Sequence, residues 1–433
     1  MLGGGTFTSQ NKSLPGAYIN VISATKSTAE ISDRGVAAIP VELDWGQENQ
    51  VVTVTADEFY KKSLTLFGYA YDTAQMRNLR EVFCHANKVH IYRLGTHTKA
   101  KNTFAEAKYG GVRGNDISII ISANVDNPEL FDVSTALSGS IKDTQTVSKS
   151  SELVDNDWVK FNNAQLTVTA GTALTGGTNG EISGEDYQNF INDIESYSFN
   201  TLGCASTEKT VKGLIAAFTK RMREELGVKF QTVLYDYAQA DYYGVISVKN
   251  KAETSGAKEG DTVYWVTGAQ AGCSVNKSVT NMKYDGELDI NVSYTQTQLA
   301  ELLESGNLMF HRSGGEIRVL DDVNTLVTTA DEIGDDFKSN QTIRVLDQIA
   351  NDVATLFNTK YLGQVQNDQF GRIAFKNDVV KIHTKLANLS AIENFESDDI
   401  TARIGDTKKS VTASTSVQPV NAMSKLYMTV VCR

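Results

Sequence analysis

Between Gln341 and Arg433 the spacing of apolar positions changes twice. Ile343, Leu346, Ile349, Ala350, Val353, Leu356 and Phe357 mark one face of a helix, and Gly363 breaks the pattern. A second helix is predicted from near Phe370, with Phe375, Val379, Ile382, Leu386 and Leu389 as its stripe. The period then becomes two. Ile400, Ala402 and Ile404 alternate with polar residues, as do Val411, Ala413, Thr415 and Val417. The run Leu426-Tyr427-Met428-Thr429-Val430-Val431-Cys432 is apolar, β-branched and aromatic. It predicts a strand, either of its own domain or lent to a neighbouring subunit.

The front of the chain alternates strand and helix patterns. Residues 1 to about 14 are polar and Gly-rich, and read as a flexible arm. After the Pro15-Gly16 turn signal, Ala17-Tyr18-Ile19-Asn20-Val21-Ile22 reads as a strand. Arg34–Gly46 reads as a buried strand that Pro40 demotes to an edge or a bulge. A helix over Thr73–Ala86 and a strand over Lys88–Arg93 follow. From about 100 to 180 only short alternating runs appear in a Ser/Thr/Asn/Asp background, which predicts an inserted β-rich module. Helical spacing returns at Tyr187–Ile194. It returns again over Glu208–Leu226, with Val211, Leu214, Ile215, Phe218 and Met222 inward and Lys209, Lys212, Lys220, Arg221 and Arg223 outward. Phe199–Ser206, Phe230–Tyr235, Gly244–Val248 and Thr262–Thr267 read as strands, and Thr297–Glu304 as a helix. The alternation implies a predominantly parallel sheet in a multidomain α/β protein.

A chain of 433 residues needs more than one core. The net charge of −11 argues against nucleic acid as a partner, and no apolar run is long enough to span a membrane. The N-terminal residues lack a basic and an apolar secretory region. Four scattered cysteines form no CxxC pair. Charge is unevenly distributed: residues 341–433 carry eleven Lys and Arg against nine Asp and Glu, which leaves −13 on the rest. On the second C-terminal helix Arg372, Lys376, Lys381 and Lys385 flank the apolar stripe, as a solvated face or as a grip on an acidic partner.

Chemistry is sparse. Cys84, His85 and His90 lie close in sequence but lack a third ligand at useful spacing. The Gly-rich run Leu174–Gly180 lacks the Lys-Ser/Thr of a phosphate loop. No nucleophile–base spacing emerges from the five histidines. The reading is of no catalytic residue, no metal site and no cofactor.

Several motifs occur in an order that resembles the tail sheath proteins of contractile bacteriophages and R-type bacteriocins. They are Leu14–Tyr18, Arg34–Gly46, Ala107–Ile117 with its Tyr-Gly-Gly-Val-Arg-Gly-Asn-Asp-Ile core, Leu174–Gly180, Trp265–Gly272, Asn324–Leu326 and Lys425–Val430. The resemblance implies a structural subunit that wraps an inner tail tube protein in a helical homo-polymer. Contraction then drives the tube through a bacterial envelope. It implies baseplate and tail terminator proteins as further partners, with cytoplasmic assembly and release by lysis in a virion or phage-tail-like particle. It further implies an arm and strand over 1–22, an α/β core over 23–99 and 181–340, and an outer β-rich insert over 100–180. A tube-facing α+β domain over 341–421 and an arm strand over 422–433 complete the division. In this scheme Ala17, Tyr18, Ile19 and Val21, and Leu426, Tyr427, Met428, Val430 and Val431, would be swapped into neighbouring subunits. Arg372, Lys376, Lys381 and Lys385 would face the tube.

Overall fold

The computed structural model describes residues 33–432. The expected front strand with Ala17, Tyr18, Ile19 and Val21 lies outside these residues. In the first part of the core are β1 (Val36–Val41), β2 (Val51–Thr55), α1 (Ala56–Phe67), α2 (Arg77–Phe83) and β3 (Lys88–Arg93). The insert contributes β4 (Ile117–Ala123), β5 (Phe131–Leu137), β6 (Ser140–Val147) and β7 (Thr169–Ala173). The core resumes with α3 (Gly184–Ile194), β8 (Thr201–Cys204), α4 (Lys209–Glu224), β9 (Gln231–Tyr235), β10 (Val245–Val248), α5 (Thr262–Gly272), α6 (Gln296–Glu304) and β11 (Asn307–Leu308). At the C-terminal end are α7 (Asn340–Leu356), α8 (Gln369–Asn388), β12 (Ile392–Glu393), β13 (Ile400–Ile404), β14 (Val411–Thr415) and β15 (Gln418–Pro419).

The core sheet runs β11-β10-β9-β8-β1-β3-β2, with every pair parallel except β2 with β3. One face buries Phe190 and Ile191 of α3 and Ile215 and Phe218 of α4 against Leu202 and Leu234. The other receives Leu79 and Val82 of α2 beside Ile39 and Ile91, and Trp265 and Val266 of α5 beside Val233 and Ile246. Parallel strands covered on both faces account for their nearly continuous burial.

Three expectations change here. β1 is an interior strand, flanked by β8 and β3, not an edge. Its pairing with β8 stops at Ala38, two residues before Pro40, so the missing N–H costs no ladder bond on that side. Thr262–Thr267 is the start of α5, not a strand. This helix is buried on all sides, so its β-branched and aromatic residues show no helical period. Gly268 and Gly272, one turn apart, allow it to lie against α2: a Cβ on either would come 2.2 Å from Val82 O or 2.1 Å from His85 O. Lys212 and Arg223 of α4, expected outward, are buried.

The insert is an antiparallel sheet in the order β7-β4-β5-β6. Its core gathers Ile117, Ile119, Ile121, Val133 and Leu137, and reaches Trp45 of the α/β core through Trp158 (ring centroids 5.9 Å apart). The Ala107–Ile117 motif is the joint between the two. Buried Arg93 donates to Gly46 O (2.8 Å) and Gly110 O (2.9 Å), and Arg113 donates to Gly68 O (2.8 Å). At Gly111, φ is +119° and an added Cβ would lie 2.0 Å from Asp44 O, so a side chain is excluded there.

In the C-terminal block α7 and α8 pack with the β13–β14 hairpin around Val345, Val379, Ile382, Leu386 and Ile400. Buried His383 donates from Nδ1 to Val379 O (3.0 Å), and Nε2 accepts from the Thr415 hydroxyl (3.0 Å), which fixes α8 to β14. Burial holds this imidazole below its ordinary pKa. With a lowered folded-state value, the unfolded chain binds the proton first as pH falls. The contribution is therefore full above the unfolded value of about 6.5 and declines as pH drops through it towards the folded value. Chemical melts at pH 7 and pH 5 should show His383→Gln losing less stability on acidification than the parent chain.

Candidate functional site

Two buried ion pairs fasten α7 to the α/β core. Arg223 of α4 holds Asp347 with two bonds, Nη1–Oδ2 at 2.6 Å and Nη2–Oδ1 at 2.7 Å. Arg344 reaches Asp322 (3.2 Å), Gln270 Oε1 (2.6 Å) and Lys277 O (2.6 Å). Asp322 also accepts from Gln270 Nε2 (2.7 Å) and Asn340 Nδ2 (2.9 Å). Burial alone would push the Asp322 carboxyl up. The Arg344 charge and these hydrogen bonds outweigh burial and hold it below the usual carboxylate range. The apolar spacing of α7 revealed only one of its faces: Asn340, Gln341, Arg344, Asp347 and Gln348 are buried too. Each charged partner lies in a different element, so no local spacing marks them.

Beyond α7, a π-turn over Phe357–Tyr361 brings Tyr361 Oη to 2.7 Å from Asp378. α8 begins at its N-cap Asp368, which accepts from Gly371 N at 2.7 Å. The stripe Phe375, Val379, Ile382 and Leu386 is buried as its spacing requires, while Leu389 is exposed at the cap. The four basic residues are not brought together. Arg372 and Lys376, four apart, flank one side of the stripe; Lys381 and Lys385 flank the other. Arg372 donates to Asn367, Lys376 pairs with Asp398 (3.2 Å) and Lys381 with Asp378 (2.7 Å). Burial opposes ionisation of Asp378, yet bonds from Lys360, Lys381 and Tyr361 pull its carboxyl down to about 2.

The last paired strand residue is Pro419, in β15. Gln341 of α7 then grips the chain: its amide donates to Val420 O (3.0 Å) and its carbonyl accepts from Ala422 N (2.9 Å). Asn421 bonds Thr342. From Met423 to Cys432 the chain forms no strand among the described residues. Leu426, Tyr427, Met428, Val430 and Val431 stand 72–89% exposed. Strand structure needs a partner ladder, and among the described residues this segment pairs with none.

Among the described residues His85 faces Asp285 (3.0 Å), His90 faces Thr53 (2.8 Å) and Ser198 O, and Cys84 is exposed. A cavity of about 600 Å³ opens where β1 and β8 end. Three of its four carboxylates are engaged: Glu42 with Lys258, Asp44 with Tyr69 and Asn179, and Asp261 with the Lys258 backbone; Glu208 is the fourth.

These features define the class of fold: a multidomain α/β protein with an inserted β-sheet and an exposed apolar segment leaving its C-terminal block. Four family models match in succession. They are the tail sheath protein Gp18 domain III N-terminal region (34–94), the phage tail sheath protein beta-sandwich domain (93–179), central domain (180–325) and C-terminal domain (332–433). Phage-like element PBSX protein XkdK of Bacillus subtilis is 31% identical over 99% of both chains. The crystal structure of a sheath tail protein from Desulfitobacterium hafniense is 34% identical, with a TM-score of 0.84 over 95% of this chain and 99% of that one. One from Listeria innocua is 29% identical, with a TM-score of 0.78 over 91% and 93%. The anti-feeding prophage helical sheath in its contracted state shares the fold (TM-score 0.57, 12% identity, covering 97% of this chain and 99% of that one). The chain belongs to the phage tail sheath protein family. It is a tail sheath subunit.

Proposed function

We propose that the chain polymerises helically around an inner tail tube, joined copy to copy by strand exchange through its two terminal arms. On contraction it drives the tube through a bacterial envelope. The observation that carries this reading is the exposed apolar segment beyond Ala422, which pairs with no strand among the described residues. A strand added to a neighbour's hairpin supplies main-chain hydrogen bonds while leaving the joined bodies free to rotate. A heterologous contact that does not close makes a helix. The division into arm (1–22), α/β core (23–99 and 181–340), outer insert (100–180), tube-facing block (341–421) and arm (422–433) follows from the same reading. Its role is structural and non-enzymatic, with the tube, baseplate and terminator proteins as partners, in a phage or bacteriocin particle assembled in the cytoplasm and released by lysis. Electron microscopy of the expressed chain should reveal striated tubes or rods; monodisperse monomers at high concentration would refute the polymer.

The grip on the tube is assigned to α8. Exposed ion pairs are worth about 0–1 kcal/mol each and weaken with salt, which suits a contact that must release. Lys376→Glu with Lys385→Glu leaves the Lys381–Asp378 pair intact. This double variant should fold and polymerise, but it should give extended particles that contract without a trigger or fail to form around the tube. Particles as abundant and salt-resistant as the parent's would remove α8 from the tube contact.

A further inference from the structure

The roots of the two arms are joined by a continuous polar path. Just ahead of β1, Arg34 donates from Nε to Cys273 O (2.9 Å) and from Nη2 to Gln270 O (3.2 Å), at the C-terminal end of α5. The Gln270 side chain bonds Arg344 and Asp322. Asp322 holds the first residue of α7 twice, through Asn340 N (3.0 Å) and Asn340 Nδ2 (2.9 Å). The next two residues, Gln341 and Thr342, hold Val420, Asn421 and Ala422 at the root of the other arm. Gln270, Asp322, Asn340, Gln341, Thr342 and Arg344 are each at most 3% exposed.

We propose that this path is a strut. It carries tension from the N-terminal arm root to the C-terminal arm root, so that a pull from one neighbour reaches the next without loading the rest of the fold. Apolar contacts are non-directional and can slide, whereas a buried, charge-assisted network has fixed geometry and resists shear along its length. The placement suits a sheath whose copies are linked through their arms, and the proposal rests on that reading. Rigid roots would make the arms themselves the joints that rotate.

The test is single-molecule pulling on the full chain, with handles at Asp33 and Met423 or, as a control axis, at exposed Asp126 and Asp289. Gln270→Met keeps the length of the side chain and removes its bonds to Arg344 and Asp322. Arg34→Met cuts the first link without touching α7, and serves if the buried change impairs folding. Either variant should lower the rupture force along the arm axis to about half, with little change along the control axis, because forced unfolding follows the barrier of the element under load. Equal weakening along both axes, or none along the arm axis, overturns the strut. The measurement needs no neighbour, so it stands apart from the strand-exchange reading, which arm deletion tests.

Discussion

Deleting residues 422–433 is expected to abolish sheath assembly while leaving a monomer that melts cooperatively. Within the monomer the deletion removes one hydrogen bond, from the Ala422 N–H to the Gln341 side-chain oxygen, worth about 1 kcal/mol, and takes away no residue of the core cluster. That corresponds to a fall of about 2–4 °C in melting temperature at most. Between subunits the loss is far larger. Burying Leu426, Tyr427, Met428, Val430 and Val431 in a neighbour would contribute about 1.5–3 kcal/mol each, before the ladder hydrogen bonds are counted. Even half of that total, after ordering costs, is a change of about 500-fold or more in the association constant at every joint. Deleting residues 1–22 should have the same phenotype, since their apolar strand pattern matches. Sedimentation and negative-stain imaging of each truncation decide the matter. Ordinary striated polymers from either would mean that the joints lie elsewhere.

What the amino-acid pattern made legible was the set of amphipathic elements. The stripe of α8 appears where spacing put it, because that helix has one buried and one wet face; β13 and β14 pair where their alternation put them, although Ile400 is the only buried residue of the hairpin. α5 failed for the opposite reason: with no wet face there is no period, and Thr262-Val263-Tyr264-Trp265-Val266-Thr267 looks like a strand. Pro40 misled because its environment, an interior strand whose ladder on one side stops at Ala38, is set by tertiary pairing alone. The ionic contacts of α7 were hidden in another way. Arg223 reads as a solvated residue of α4 until Asp347, 124 positions later, is placed against it. Four basic residues on α8 suggested a single charged surface. Asp378 and Asp398 take two of them: Asp378 lies three residues before Lys381 on the same helix, a spacing that can be read from the sequence, whereas Asp398 lies 22 positions from Lys376 and cannot be read that way.

Arg344→Met is expected to cost about 3–5 kcal/mol at neutral pH, among the largest effects of any single change in the chain. Met fills much of the aliphatic space but leaves Asp322, itself buried, without its countercharge. Removing both charges should be cheaper than removing one: Arg344→Met with Asp322→Leu should recover part of the loss. The pH dependence separates a stranded charge from lost packing. In the parent chain Asp322 is held below its unfolded value of about 3.9, so its contribution is full above that value and is lost as pH falls through the folded one. In Arg344→Met burial is no longer outweighed, and the folded carboxyl rises above its unfolded value. The variant then takes up a proton more readily folded than unfolded, and acid relieves it. The stability gap between parent and variant should therefore narrow steadily from pH 7 to pH 4 in denaturant melts. A gap that stays constant across that range would assign the cost to the vacated guanidinium volume and not to the carboxylate left behind.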